Sequence, residues 1–484
     1  MTTNTAERTK NFVLLVLCAA MFLDSLDTSL VSVALPHIQQ ALGMSTASLQ
    51  WLVSGYTVAY GGFLLLGGRL ADLFGRRRVF LIAMIVFALA SLAGGLVSSG
   101  SLLIATRLIK GLAAALTAPA AMSIITTTFR EGAERNRALG FYTATAASGY
   151  SLGLVLSGLL TQLSWRLVFF APVVVAVMVI AVTPFAIPKT ATERRTRTSY
   201  DIGGALTVTA AVLLFVYGLV HAPQVGWGST SSIVVFVAAL ASVVAFVAIE
   251  RVHVDPTVPL RLFRSWTRSS ANALALVFAA ASLGWQFTVT LYLQRFLGYG
   301  PLKTALELLP IGIVILLVAQ FVTGRLLARF PMRAVAGVGI LIQGTGILLF
   351  AFAGMRGDYP GLILPGLLLH GIGNGLVFPT MNIAGVSGVA DREQGIASGM
   401  ITSSFQIGVG VGVAALTGVM AATVHGTGSA AQLHGYHVAF IAAALFSLTG
   451  ALISFVGLRG DRTAAPSPAS SAADDVPSAV PAQG

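Results

Sequence analysis

Runs of about 20 apolar residues recur along this chain, and each is long enough to cross the hydrocarbon core of a bilayer as a helix. Fourteen can be read, near residues 12–36, 51–70, 79–98, 102–125, 138–162, 166–187, 202–221, 231–250, 270–294, 304–328, 334–354, 360–386, 395–422 and 437–457. They are far longer than the roughly 10-residue alternating segments of a membrane barrel. Only 10% of the residues are charged, against about 25% in soluble domains. That is too little polar material to cover a water-facing globule, and it excludes a soluble enzyme with a single anchor. The first run is longer than a signal-peptide core and ends without a small-residue cleavage site, so it reads as a retained helix.

The excess of basic residues, 29 against 17 acidic for a formal charge of +12, does not form a folded basic face for nucleic acid. It falls in short gaps between apolar runs. One set of gaps, including Arg8, Lys10, Arg76–Arg78, Arg130, Arg135, Arg137, Lys189, Arg261, Arg264, Arg325, Arg333 and Arg459, holds 22 basic residues, and the alternate set holds only Arg166, Arg295, Lys303 and Arg356. By the positive-inside bias the first set is cytoplasmic and both termini lie inside. The only cysteine, Cys18, excludes an intrachain disulfide and any cysteine-based metal site.

Gly68-Arg69-Leu70, with Phe74 and Arg77 following, recurs 256 residues later as Gly324-Arg325-Leu326 with Phe330 and Arg333. Glu134-Arg135 and Gly153 recur 257 residues later as Asp391-Arg392 and Gly410. These offsets equate the second run with the tenth and the fourth with the twelfth. The expected organisation is a cytoplasmic N-terminus (1–11), a six-helix bundle (12–187), two inserted helices with flanking cytoplasmic linkers (188–269), a second six-helix bundle (270–457) and a disordered cytoplasmic tail (458–484).

These residues carry a resemblance to the major facilitator superfamily, and within it to the fourteen-helix drug:proton antiporter branch. Asp27-Thr28-Ser29-Leu30 through Pro36 resembles the signature of the first helix, and Gly68 through Arg78 the loop motif between helices two and three. Arg107 to Gly111 resembles the helix-four motif, and Gly149, Gly153 and Gly158 the antiporter motif of helix five. Asp201 to Ala205, Pro259 to Phe263 and Tyr292 to Gln294 also recur in that branch. Three positions depart from its pattern: Ser32 stands for the usual Asn, Lys110 for Gln, and Leu154 for the Pro after Gly153. The resemblance implies an all-α membrane protein with the major facilitator fold, in the plasma membrane of a bacterium. It also implies proton-coupled efflux of drug-like amphipathic compounds by alternating access. The gating motif, Gly68, Asp72, Gly75 and Arg76, would latch the two halves at the cytoplasmic side.

A charged side chain deep in a bilayer is costly and normally faces a partner or a wet cavity. Asp24 and Asp27 in the first run, and Arg107 and Lys110 in the fourth, are each spaced i,i+3 and share a helix face. At 1.5 Å per residue all four fall roughly 18–26 Å from the inner edge. Asp27 is the expected proton-coupling carboxylate and Arg107 its charge partner, against the plainer reading of a permanent ion pair locking two helices. Asp24 and Lys110 would form a separate pair. Four charges summing to zero favour a neutral, zwitterionic or anionic cargo over a simple monocation.

Weaker candidates for substrate lining are Tyr56 and Tyr60 as stacking surfaces, Glu307 at the outer end of the tenth run, His370 and Asn374 in the twelfth, and Gln406 in the thirteenth. Asn382 belongs with helix–helix hydrogen bonding. No Gly-rich sequence ending in Gly-Lys-Ser/Thr occurs, so ATP is not the expected energy source. The expected partners are a small-molecule substrate, protons and the lipid bilayer, with no nucleic acid, no cofactor and no metal; a functional monomer is expected. The rival readings are a symporter or uniporter of a small metabolite and a polytopic membrane enzyme. The enzyme reading lacks acid–base groups converging on one point.

Overall fold

The computed structural model describes residues 2–130, 133–187, 201–253, 256, 260–389, 394–424 and 428–459. Among these residues there is no strand, and fourteen long rods account for most of them. In order they are α1 Thr2–Leu42, α2 Trp51–Phe74, α3 Arg76–Leu96, α4 Gly100–Thr128, α5 Ala133–Leu163, α6 Leu167–Ala186 and α7 Ile202–Val225. There follow α8 Thr230–Val252, α9 Trp266–Phe296, α10 Pro301–Leu327, α11 Met332–Phe352, α12 Tyr359–Val386, α13 Gln394–Thr423 and α14 Ser429–Gly457. Helices are the outcome because backbone groups in hydrocarbon have no water to bond and must satisfy one another within the segment. The same demand explains two departures from the sequence reading. The first rod does not stop at Pro36 but runs through it to Leu42. A single π-helical turn, Val318–Thr323, is absorbed inside α10 without ending it, and another, Tyr292–Phe296, closes α9. The last rod also begins earlier than its apolar run, at Ser429. Among the described residues, eleven of the rods are long and apolar enough to cross a membrane, and α7 carries a shorter apolar stretch, Leu206–Ala222.

Packing follows the sequence repeat. In the first six rods α1 lies against α5 and α6, α2 against α4, and α3 against α4 and α6. Moved on by eight rods, the same list describes the last six: α9 against α13 and α14, α10 against α12, and α11 against α12 and α14. The two sets meet where α2 packs on α13 and α5 on α10, contacts that exchange under the same shift. The inserted rods α7 and α8 pack on each other, and α7 rests on α2 and α13.

The apolar cores show how the two sets sit. At the end opposite the Arg-rich loops (the far end), one core is shared, with Leu30, Leu35, Trp165 and Phe169 packed together with Trp285, Tyr292, Phe350 and Phe440. Toward the Arg-rich loops (the basic end) it divides. Leu17, Phe80, Met84 and Ile125 form one core, and Leu274, Phe278, Ile340 and Met381 another. Hydrogen bonds between the sets fall in the middle and far half: Ser54 Oγ donates to the Gly410 carbonyl at 3.2 Å, Gln294 Nε2 to the Val33 carbonyl at 2.8 Å, and Tyr150 Oη to Gln286 Oε1 at 2.5 Å. The molecule is therefore joined at the far end and parted toward the basic end.

Candidate functional site

Asp27 is fully buried, and both of its oxygens are taken by α4. Arg107 Nη1 donates to Oδ2 at 2.6 Å, and Lys110 Nζ donates to Oδ1. The i,i+3 spacing puts the two cations on one face of α4, so they close on the carboxylate together. Each is held from behind. Arg107 Nε donates to the Leu52 carbonyl at 2.7 Å, and its guanidinium lies 4.4 Å from the Tyr56 ring centroid. Lys110 also donates to Ser91 Oγ at 3.0 Å and sits 4.6 Å from the Phe87 centroid. Ser91 in turn donates to the Phe169 carbonyl at 2.7 Å, which fixes its hydroxyl as an acceptor for the lysine.

The expected Asp24–Lys110 pair does not form. Asp24 lies three residues before Asp27 along α1, just under a turn, and Lys110 pairs with the fully buried Asp27 instead. Asp24 instead accepts from the Tyr56 hydroxyl, with Tyr60 also within hydrogen-bonding reach, and it stays half-buried. The tyrosines are thus not free stacking surfaces. They are 1% and 3% exposed, edge to face at 6.1 Å, and spend their hydroxyls on Asp24.

Close helix approach makes this geometry possible. A Cβ on Gly149 would lie 2.6 Å from the Phe22 carbonyl oxygen, and one on Gly153 would lie 2.8 Å from that of Leu26. Both carbonyls belong to α1 beside the two aspartates, so only glycine lets α5 lie this near. Gly158 faces the other set, against Leu302 and Ala305 of α10. Leu154, where the branch has proline, is buried in the same knot with Val33 and Ala305.

At the basic end Gly75 takes φ +89°, a conformation that L side chains rarely adopt, and turns α2 into α3. Arg76 Nη1 donates to the Ser123 carbonyl at 3.3 Å, Arg69 donates to the Pro256 carbonyl, and Gly68 lies beside Pro119. The side chain of Asp72 lies outside the described residues, as do Lys189, Arg194, Arg195, Arg197, Asp391, Arg392 and the chain from 460 onward. Lys10 Nζ ties the start of α1 to Glu134 of α5 at 2.6 Å, and this hydrogen bond holds the Glu134 carboxyl below its ordinary range.

The last six rods carry a second, mostly uncharged cluster that sequence reasoning found only in part. His370 is buried, stacked 4.2 Å from Trp285, with Nε2 3.2 Å from Ser282 Oγ. Asn374 Nδ2 donates to the same hydroxyl at 2.7 Å. Ser91, Ser282 and Trp285 were missed because a serine or tryptophan in an apolar run carries no signal until its neighbour is known. Gln406, half-buried, lies where α13 crosses Gly61 of α2. Asn382 donates to its own helix at Phe378. Glu307 is far from both clusters along the rods, 3.8 Å from Lys303 near the start of α10.

A sequence profile of the Major Facilitator Superfamily matches residues 17–413. The chain belongs to that superfamily. Among curated members, it is 36% identical over 445 residues to the cephamycin export protein of Amycolatopsis lactamdurans, covering 91% of both chains. It is 35% identical over 459 residues to a puromycin resistance protein of Streptomyces alboniger, covering 92% of this chain and 90% of the relative. A multidrug resistance protein of Mycobacterium tuberculosis is 33% identical over 424 residues, covering 87% and 78%. Two solved structures share the fold. The human organic anion transporter TETRAN has a TM-score of 0.64 at 16% identity, with coverage of 92% and 99%. The nucleoside transporter NupG has 0.63 at 14%, with 94% and 100%. Major facilitator proteins are transporters, so this is a multi-pass protein of the plasma membrane and a transporter rather than an enzyme.

Proposed function

We propose that this major facilitator protein exports antibiotic-like amphipathic compounds in exchange for protons, with Asp27, Arg107 and Lys110 as the coupling unit and Asp24 as its half-exposed neighbour. The export direction is supported by relatives whose names are an export protein and resistance proteins. The observation that carries the coupling is the buried triad itself. Three charged groups with no solvent access are costly unless they remain mutually paired, and a proton delivered to Asp27 would leave two cations facing a neutral acid. A proton therefore changes the stability of this arrangement by an amount large enough to drive a change of state.

In this reading all fourteen rods span the bilayer and the basic end faces the cytoplasm, so the parted cores describe an inward-facing state. Residues 12–187 and 270–457 rock against each other, 188–269 flank them, and a single chain suffices. Asp72 takes part in a cytoplasmic latch that forms when the basic ends meet. With Asp24 and Asp27 balanced by Arg107 and Lys110, a simple monocation is a poor cargo. His370, Asn374 and Gln406 offer neutral hydrogen-bonding groups on the opposite wall.

The test uses purified protein in proteoliposomes with an imposed pH gradient, starting from a panel of toxic compounds active against a deletion strain. Asp27→Asn is expected to abolish gradient-driven transport while leaving substrate exchange measurable. Full gradient-driven transport in Asp27→Asn would end the coupling proposal. Accumulation that falls in the deletion strain would favour an importer.

A further inference from the structure

At the far end, well away from the triad, a cavity of about 320 Å³ opens between the short helix after α1, the start of α2, the end of α9, and rods α7, α13 and α14. Gln50 lines it and is fully buried, yet its Nε2 has no hydrogen-bond partner. Ser54 Oγ lies 3.4 Å from Oε1 of the same amide and shares its one proton between that oxygen and the Gly410 carbonyl, while Nε2 is left open. Arg295, exposed to solvent, also lines the cavity, and its one hydrogen bond among the described residues goes from Nη1 to Thr46 Oγ1 at 3.3 Å. A guanidinium carries five N–H donors and no acceptor, so most of its capacity is unspent. Val220, Ala414 and Met420 supply apolar wall.

Two spare donors, one of them cationic, above an apolar floor select an oxygen acceptor with negative charge on a hydrocarbon body. We propose that this cavity binds an acidic amphiphile, through a carboxylate or phosphate, and that the bound molecule clamps the far end shut. The clamping follows from where the walls come from. Gln50 and Thr46 belong to the first set of rods, Arg295 and Met420 to the second, and Val220 to the inserted α7. The cavity exists only while the two sets are joined at this end. A ligand that binds only one state shifts the equilibrium toward it by its differential affinity. The proposal also gives α7 a task, that of closing the cavity's side.

The same chemistry has two sources, the phosphate of an anionic lipid in the outer leaflet or a free carboxylate arriving from outside. The test is binding, so its outcome is independent of whether the protein exports anything. Full-length protein is placed in nanodiscs of phosphatidylcholine, and thermal stability is followed on adding phosphatidylglycerol, sodium dodecanoate, or dodecanol as an uncharged control. Stabilisation by phosphatidylglycerol alone identifies the lipid source, and stabilisation by dodecanoate in neutral discs identifies the free compound. In either case Arg295→Gln is expected to weaken the effect about tenfold, the loss of one charge-assisted hydrogen bond. Gln50→Leu should weaken it too, and Lys303→Gln, another far-end cation outside the cavity, should leave it intact. No stabilisation by either anion overturns the proposal. So does an equal effect of dodecanol, or an equal loss in Lys303→Gln.

Discussion

Removing the carboxylate from the triad and removing one of its cations are not independent changes, and their difference can be measured. Asp27→Asn leaves Arg107 and Lys110 buried, both under 2% exposed, with no counter-charge. Breaking a buried pair from one side costs about 3–5 kcal/mol, and with two stranded cations the upper end applies. Lys110→Met leaves the Asp27–Arg107 bond of 2.6 Å in place. It gives up one charged hydrogen bond and the contact with Ser91, about 1–2 kcal/mol. The double variant strands only Arg107, so its cost falls back to about 4 kcal/mol, roughly 2 kcal/mol less than the sum. The assay is reversible unfolding in mixed detergent micelles for wild type, both single variants and the double. Additivity within about 0.5 kcal/mol would refute the shared triad. A coupling found between Asp24→Asn and Lys110→Met, and absent with Asp27, would restore the Asp24–Lys110 pairing expected from the sequence.

Ser151→Cys with Gly312→Cys, in a Cys18→Ser background, should crosslink the two sets of rods on oxidation, since a Cβ at Gly312 lies 3.3 Å from that of Ser151. Transport should stop and return on reduction; turnover at full rate while crosslinked would refute alternating access at this end. Gly153→Ala is expected to destabilise the protein by about 1–3 kcal/mol through overpacking on α1 and to reduce transport, measured by unfolding and uptake together; wild-type stability would show that α5 yields more easily than its carbonyl contacts imply. Glu134 is held below its ordinary value by Lys10, so its contribution is present above that value and lost only as pH falls through the lower one. Near neutrality it is constant, and Glu134→Gln should leave the pH profile of transport unmoved; a displaced profile would place a coupling proton there.

The rods were legible because an apolar run of bilayer length has one stable outcome, and their pairing because the repeat Gly68–Arg69–Leu70 to Gly324–Arg325–Leu326 equates α2 with α10. Asp27 and Arg107 were brought to one level by counting rise along two helices. That count could not assign Lys110, because Asp24 and Asp27 differ by less than one turn, below the precision with which a span's end is known. It said nothing of Tyr56, whose hydroxyl decides the fate of Asp24. The π-helical turns in α9 and α10 left no mark, since apolar residues there look like any others. Nor did a linear pattern reveal which ends of the two sets meet, because that is a property of how rigid bodies are arranged.

Asp27, Arg107 and Lys110, each under 2% exposed, all belong to the first six rods, and the last six carry imidazole, amide, indole and hydroxyl groups. In the proposed mechanism, engine and cargo hold are thus built from separate stretches of chain. On that mechanism, substitutions in α9, α12 and α13 would alter what is carried while the powered half stays untouched, and a lineage meeting a new toxin would have a route to resistance that does not pass through a stalled pump.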